Sequence, residues 1–113
     1  MGQSSPNKNL GSPDVKSING LEKVTSLIKA VIDAWDPYSL LASGAPADEF
    51  AIEINALAYG VRNIKSQDDA ALAISRVFSR YFTPEDFSVD ACREVGVELH
   101  KALKEAGLLS RNE

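Results

Sequence analysis

The side chains that most often carry catalysis are few in this sequence, and their spacing does not bring them together. Cys92 and His100 are the only cysteine and the only histidine. On one straight helix, eight residues would separate them by about 12 Å along the axis. A nucleophile and its base must share a hydrogen bond, so these two do not form a catalytic pair. A di-iron bundle needs glutamate three residues before the histidine, and Val97 stands there.

Carboxylates are the remaining candidates for chemistry. Glu49 and Glu53 are four residues apart, so they share a helix face if the helix includes both. With Asp48 beside them, they could hold a cation, which keeps open a small carboxylate-based metal-dependent enzyme. A solvated helix face is the favoured interpretation. The sequence also has neither a Walker lysine motif nor a dinucleotide fingerprint. We therefore predict no catalytic residues, no cofactor and no metal site.

The charge of the chain is unevenly distributed. The net charge is −4, and the window from Ala30 to Val61 alone carries −5. This window contains no lysine or arginine, and its acids are Asp33, Asp36, Asp48, Glu49 and Glu53. A nucleic-acid binder needs a broad basic surface, so we expect no nucleic-acid partner. The acidic window favours a protein partner with a basic surface.

The stretch from Trp35 to Phe50 is the one segment that helical periodicity does not explain. Pro37 removes a backbone donor and ends the preceding helix. Leu40 and Leu41 are adjacent and apolar, so the loop is expected to pack onto the domain. A loop of about a dozen residues is long for a compact helical domain, and such loops are often functional. Two interpretations stay open, a binding loop and a structural closure of one end of the bundle.

Three pieces of this stretch form a recognisable pattern: Trp35-Asp36-Pro37, Leu40, and Gly44-Ala45-Pro46 followed by Asp48-Glu49-Phe50. With it, the chain from about Leu21 to Leu103 resembles the DUF1871 family of small bacterial helical proteins of unknown function. Family members often continue after the aromatic residue with Asp-Pro or Asp-Ser, whereas this chain has Ala51-Ile52. The resemblance implies a helical fold and no particular reaction.

Composition bounds the class of protein. Hydrophobic residues make up 44% of the 113 residues and charged residues 25%, which is ordinary for one soluble globular domain. A single cysteine permits no internal disulfide and fits a reducing compartment. We see neither a signal peptide nor an apolar stretch long enough to cross a membrane. The expected location is the cytoplasm, without membrane contact.

Apolar periodicity predicts an all-α domain, a compact bundle of four helices over residues 19–109. The polar residues 1–18, punctuated by Pro6 and Pro13, predict a disordered tail. Asn19 is expected to cap the first helix, whose apolar stripe ends at Trp35 as a core residue. The second helix is expected from Asp48 or Ala51 to Ile64, with the glycine at position 60 marking a close helix contact.

The third helix is predicted to start at Ser66, with Asp69 completing a capping box. Its buried side is expected to include Tyr81, and its exposed side Ser75 and Ser79. The fourth helix is predicted from about Ser88 to Ala106, with Cys92 buried as a small hydrophobe and Gly107 as the C-cap.

These observations favour a non-enzymatic protein-binding module of the adaptor or immunity type. Loops held by a rigid scaffold often carry binding residues. The candidate partner-binding residues are therefore those of the long loop and the acids around it: Asp36, Tyr38, Ser43, Asp48, Glu49 and Glu53. The alternatives are the carboxylate-based metal-dependent enzyme and a homo-oligomeric structural protein.

Overall fold

The computed structural model describes residues 13–109 and contains four α-helices. They are α1 (Pro13–Trp35), α2 (Ala51–Tyr59), α3 (Gln67–Tyr81) and α4 (Arg93–Glu105). Three short 3-10 turns, Pro37–Ser39, Val61–Asn63 and Asp90–Cys92, lie in the connections. Within the described residues there is no β-strand. The prediction of an all-α, four-helix domain with a long ordered loop between its first two helices is confirmed.

The first helix begins earlier than the sequence predicted. α1 starts at Pro13, not at Asn19. Proline is favourable at a first helical position, because its missing N–H has no partner there anyway. Asn19 and Gly20 lie inside the helix, where glycine costs about 1 kcal/mol relative to alanine without ending it. Of the predicted tail, residues 13–18 belong to α1, and residues 1–12 lie outside the described residues.

The four helices follow one another around the bundle. α1 contacts α2 and α4, and α3 contacts the same two helices from the other side. The predicted apolar stripes meet in one core whose main side chains are Val24, Ile28, Ile32, Phe50, Ile54, Leu57, Ile64, Ile74, Phe78, Phe87, Leu99 and Leu103. Between residues 13 and 109 no helix has both the length and the apolar character required to traverse a membrane.

The close helix contact lies at Gly96 rather than Gly60. A Cβ at Gly96 would stand 2.8 Å from the backbone nitrogen and 2.9 Å from the Cα of Ala71. Backbone atoms do not yield as side-chain ends do, so α3 and α4 approach this closely only with glycine here. α2 ends at Tyr59 and Gly60 is its C-cap, with room for a Cβ. The prediction that α2 reaches Ile64 with a crowded Gly60 is wrong.

The cap at the start of α3 and the cap at the end of α4 are as predicted, whereas α4 begins at Arg93 and not near Ser88, because Asp90–Cys92 form a 3-10 turn. The Ser66 hydroxyl accepts a hydrogen bond from the Asp69 N–H at 3.0 Å, as predicted. The Asp69 carboxylate accepts its bond from the Lys65 N–H, one residue before the N–H that a capping box uses. At the end of α4, Gly107 has a φ of 72°. The Gly107 N–H donates to the Lys104 carbonyl and the Leu108 N–H to the Leu103 carbonyl, which closes the helix as a Schellman motif.

Two side-chain predictions on α3 are wrong. Ser75 and Ser79 turn inward, and their hydroxyls donate to the Phe87 carbonyl at 2.6 and 3.3 Å. A buried carbonyl outside a helix needs a donor, and periodicity gives no sign of this requirement. Tyr81 is exposed, because α3 ends there and its ring is contacted by the Arg80 guanidinium, 5.9 Å from the ring centroid, and not by the core.

Candidate partner-binding site

The loop of residues 36–50, here called the strap, is held by its first residue. The Asp36 carboxylate accepts hydrogen bonds from two backbone N–H groups, that of Leu41 at 2.8 Å and that of Ala42 at 3.0 Å. Both are charge-assisted bonds, which are stronger than neutral ones. The sequence placed Asp36 among the partner-binding residues. In the structure both of its carboxylate oxygens stabilise the strap itself.

The strap carries unusual backbone conformations. Among the described residues, positive φ values at non-glycine positions occur at Asp36 (48°), Tyr38 (63°) and Ser39 (54°). Each such residue costs about 1–2 kcal/mol, since Cβ crowds the following carbonyl oxygen. Backbone strain of this kind persists only where the surroundings impose it, and it concentrates at functional segments. The strap is therefore a rigid segment and not a relaxed connection.

The strained backbone presents Tyr38 at the surface. Its side chain is 50% exposed, and its ring packs edge-on against Phe82 and Phe87, with centroids at 5.6 and 5.5 Å. The Tyr38 hydroxyl donates a 2.7 Å hydrogen bond to the Asp86 carboxylate. This bond holds the phenolic proton and raises the pKa of Tyr38 above its ordinary value. Tyr38 is thus both anchored and accessible.

The far end of the strap is fastened to α1 by a lysine. Lys29 Nζ donates to the Ala47 carbonyl at 2.8 Å and to Asp33 Oδ2 at 2.6 Å. The acidic window therefore receives a positive charge from the residue just before it. Three further residues of the strap were predicted to bind a partner. Of these, Ser43 and Asp48 are exposed and Glu49 is half-buried. These three are accessible but form no hydrogen-bonded cluster with one another.

Glu53, the last of the predicted partner-binding residues, is buried inside the protein. Because α2 begins at Ala51, Glu49 precedes the helix and does not share a helical face with Glu53. Glu53 is only 6% exposed, and its Oε1 has no hydrogen-bond partner in the described part of the chain. The expectation of a solvated face formed by these two glutamates is wrong. Apolar residues surround Glu53 in the sequence, and burying α2 against its neighbours takes the carboxylate with them.

A groove that the sequence did not predict lies between α1 and α4. It has a volume of about 680 Å³, within the usual size of ligand pockets. Its lining is mostly apolar: Ala30, Val31, Ala34, Trp35, Val95 and Val97, with Glu94 and Glu98. Trp35 was predicted to be a core residue. It is half-buried, with one part of the indole against the core and another part in this groove.

Ring contacts connect the groove to the strap. The Trp35 ring meets Phe87 edge-on at 5.8 Å, and the same Phe87 ring meets Tyr38 at 5.5 Å. Trp35 and Tyr38 therefore contact the same buried ring, although Tyr38 itself does not line the groove. Two acids four residues apart, Glu94 and Glu98, beside the apolar stripe of α4 were the sequence signal for the groove. It was missed because periodicity reports which residues are apolar and not where two helices diverge.

The residues with catalytic potential remain apart. Cys92 is fully buried at the start of α4, and burial raises the pKa of its thiol to about 11. A thiol with so high a pKa is a poor nucleophile at neutral pH, in keeping with the predicted role as a small hydrophobe. His100 is half-buried within α4. In residues 13–109, no three side chains of His, Cys, Asp or Glu come close enough to hold a metal ion.

Comparison with known proteins gives no relative for this chain. No protein-family model, no curated protein and no solved structure matches it. The resemblance to the DUF1871 family therefore stays a prediction from the sequence.

Proposed function

We propose that this chain is a non-enzymatic protein-binding module, of the adaptor or immunity type, for a partner with a basic surface. The single observation that carries the proposal is the α1–α4 groove, which combines an apolar lining with Glu94 and Glu98. Binding pockets are typically apolar with a few oriented polar groups. Trp35 in the lining adds weight, because tryptophan is enriched among residues that dominate binding energy.

The geometry of the groove favours a basic amphipathic helix as the bound segment. Ala30 and Ala34 lie one turn apart on α1, and their small side chains leave room for larger ones from a partner. Glu94 and Glu98 lie one turn apart on α4, so lysines or arginines at the same spacing would face them. An amphipathic helix that lays its apolar face in such a groove is a common mode of recognition.

The strap has a supporting part in this proposal. Tyr38 adjoins the Trp35 region through Phe87 and offers a half-exposed aromatic ring. The exposed acid Asp48 lies on the same strap and adds negative potential that steers a basic partner. Such exposed charges act mainly on the association rate, so the contact energy comes from the groove. We place the module in the cytoplasm, where its single, buried cysteine stays reduced.

The intrinsic fluorescence of the protein tests the proposal directly. Trp35 is the only tryptophan, so its emission reports occupancy of the groove. The probe is a synthetic peptide that forms a helix with leucines three and four residues apart and lysines on both flanks. We expect saturable binding that weakens as salt rises, because salt screens charge pairs. The same peptide with glutamates in place of the lysines should not bind.

Charge-neutral variants locate the site. The double substitution Glu94→Gln and Glu98→Gln should weaken peptide binding about fivefold and flatten its salt dependence. The matched control, Glu22→Gln with Glu105→Gln, makes the same change of net charge at exposed positions that do not line the groove. If Asp48→Asn with Glu49→Gln weakens binding instead, the partner binds the strap and not the groove.

A blocked groove separates a specific partner from a background protein. Ala34→Phe adds a ring at an exposed position that lines the groove, so the fold should be unchanged. In an affinity purification from the native host, the true partner is retained by the original chain and lost by Ala34→Phe. A protein retained equally by both does not use this groove, and the absence of any discriminated protein contradicts the proposal.

A further inference from the structure

The helix α2 buries its charged residue and exposes apolar ones, the reverse of an ordinary amphipathic surface helix. Its only charged side chain, Glu53, is buried, whereas Ile52 is 63% exposed and Tyr59 is 76% exposed. Between these two lie Asn55, which is exposed, and Ala56, which is half-buried. A helix that is apolar on all sides is normally covered on all sides. In the described part of the chain, nothing covers this side of α2.

Exposed apolar residues on the neighbouring helices widen this surface. A shallow groove between α2 and α1 is lined by Leu21 and Asn55, and another between α2 and α3 by Leu72 and Ala56. Both leucines are exposed. The exposed side chains of Leu21 and Leu72 therefore add apolar surface on both sides of α2, although Glu22, Asp69 and Arg76 also line these two grooves. Exposed apolar patches mark interaction sites.

We propose that this α2 outer face, formed by Ile52, Asn55, Ala56 and Tyr59, binds a second copy of the chain through two antiparallel α2 helices. The spacing of the four residues is symmetric. Ile52 and Tyr59 lie equally far from the midpoint between Asn55 and Ala56. A two-fold axis at that midpoint brings Ile52 of one copy against position 59 of the other, with the small and polar positions facing each other at the centre. A two-fold interface needs such a self-complementary patch.

Charge selects a second copy over the basic partner of the groove. The chain carries a net charge of −4, so an acidic patch placed against its own copy would be repelled. The four residues of the α2 outer face include no Asp, Glu, Lys, Arg or His, because the one carboxylate on α2, that of Glu53, is buried. It therefore faces its own copy without repulsion, and it has nothing with which to attract a basic protein. Asn55 can both donate and accept a hydrogen bond, which suits pairing near a symmetry axis.

The size of the helix sets the strength of the association. A helix of nine residues is only about 14 Å long, too short for one helix face to bury the roughly 800 Å² per partner of a standard interface. We therefore expect a weak dimer with a dissociation constant of about 10–100 µM. Its affinity should be nearly independent of salt, since no charge pair contributes. This separates it from the groove, whose binding falls as salt rises, so failure of either proposal leaves the other intact.

Sedimentation equilibrium of the full chain over a range of concentrations provides the test. We expect a reversible monomer–dimer equilibrium that Tyr59→Ser weakens about tenfold or more. The matched control is Tyr81→Ser, which removes the same exposed side chain from the end of α3 and should leave the equilibrium unchanged. Both tyrosines are exposed, so both variants should fold, and circular dichroism checks this.

The antiparallel arrangement has its own test. Ile52→Glu and Tyr59→Lys should each weaken the dimer, because each places one charge against an apolar residue. Together in one chain they should restore part of the affinity, since position 52 of each copy then faces the opposite charge at position 59 of the other. A chain that stays monomeric up to about 1 mM, or a dimer that none of these variants changes, overturns the proposal. The first result leaves the face to a different protein.

Discussion

The strap and α2 both place a carboxylate inward and an aromatic ring outward, and they differ in what the carboxylate meets. In the strap, the Asp36 carboxylate accepts two backbone hydrogen bonds while Tyr38 stands half-exposed. In α2, Glu53 is more deeply buried and one of its oxygens has no partner among residues 13–109, while Tyr59 is the more exposed ring. The two segments are adjacent in sequence, but both oxygens of Asp36 have hydrogen-bond partners and Oε1 of Glu53 has none in the described residues.

The hydrogen-bond partners of an inward carboxylate decide its structural role. A carboxylate whose oxygens are satisfied by backbone N–H groups organises its own loop, and its ring partner is presented by a finished structure. A buried carboxylate oxygen without a partner costs free energy, which burial of Ile54, Leu57 and Ala58 on the same helix offsets. The strap is therefore fixed by its own hydrogen bonds and by those from Lys29 and to Asp86, whereas α2 leaves an apolar outer face that a second copy would cover.

Removing the strap's inward carboxylate should give the largest effect. Asp36→Ala deletes both acceptors and places alanine at a φ of 48°, so we expect a loss of about 3 kcal/mol in the free energy of unfolding. Denaturant melts measure it. The control is Asp48→Ala, an exposed acid in the same strap, which should change stability by under about 0.5 kcal/mol. Equal effects would mean that Asp36 does not organise the strap.

Removing the inward carboxylate of α2 should raise the free energy of unfolding, whereas removing that of the strap lowers it. Glu53→Met keeps the size of the side chain and deletes a buried carboxyl group whose Oε1 has no hydrogen-bond partner in the described residues. We therefore expect a gain of about 1–2 kcal/mol in the free energy of unfolding. Glu49→Met is the control, because Glu49 is half-buried and lies before α2. A loss of stability in the Glu53 variant would show that its Oε1 has a hydrogen-bond partner in the folded protein, and the contrast with the strap would fail.

The sequence predicted the architecture because burial of apolar stripes dominates folding of a domain this size. The stripes of all four helices, the break at Pro37, the Ser66 cap and the Gly107 cap followed from residue type and spacing alone. The start of α1 was missed for a local reason, proline at a first helical position, and most other errors fall where tertiary contacts decide the outcome. Gly96 is required by the backbone of α3, a contact between residues far apart in sequence. The sequence of a single helix does not show which glycine faces another helix. The close contact was therefore predicted at Gly60 and not at Gly96.

The candidate site was less predictable than the fold. Tyr38 and Asp48 are accessible as expected, but Asp36 and Glu53 are turned inward for different reasons. The sequence shows that these residues are acidic. It does not show which hydrogen-bond donors the fold brings near them. The α1–α4 groove and the α2 outer face depend on how helices diverge and which side of α2 is covered. Neither follows from periodicity within a single helix.

Relieving backbone strain in the strap should give a smaller effect than either carboxylate. Ser39 is exposed with a φ of 54°. Ser39→Gly removes the left-handed penalty of about 1–2 kcal/mol. The greater freedom of glycine in the unfolded chain costs about 0.5–1 kcal/mol. We therefore expect a net gain of about 0.5–1 kcal/mol in the free energy of unfolding. Ser43→Gly is a matched control in the same strap, at a residue without positive φ. It should lose about 0.5 kcal/mol. Equal signs would mean that Ser39 is not strained.

The smallest expected effect concerns the hydrogen bond that fastens Tyr38 to Asp86. This bond raises the pKa of Tyr38 above its ordinary value of 10.0, so the folded protein holds the phenolic proton more tightly than the unfolded chain. The bond's contribution is therefore complete below pH 10 and is lost as pH rises through the raised pKa. We expect Tyr38→Phe to be slightly less stable at neutral pH and to lose stability less steeply above pH 10.

Ultraviolet titration identifies the group responsible. The absorbance of the original chain minus that of Tyr38→Phe isolates one phenol, whose ionisation should have its midpoint above pH 10. Asp86→Asn keeps an acceptor but removes the negative charge, so it should move that midpoint back toward 10 while the strap stays closed. If the midpoint is unchanged in Asp86→Asn, the carboxylate does not hold the tyrosine. Asp36 alone would then organise the strap, and Tyr38 would be as free to meet a partner as Tyr59 is on α2.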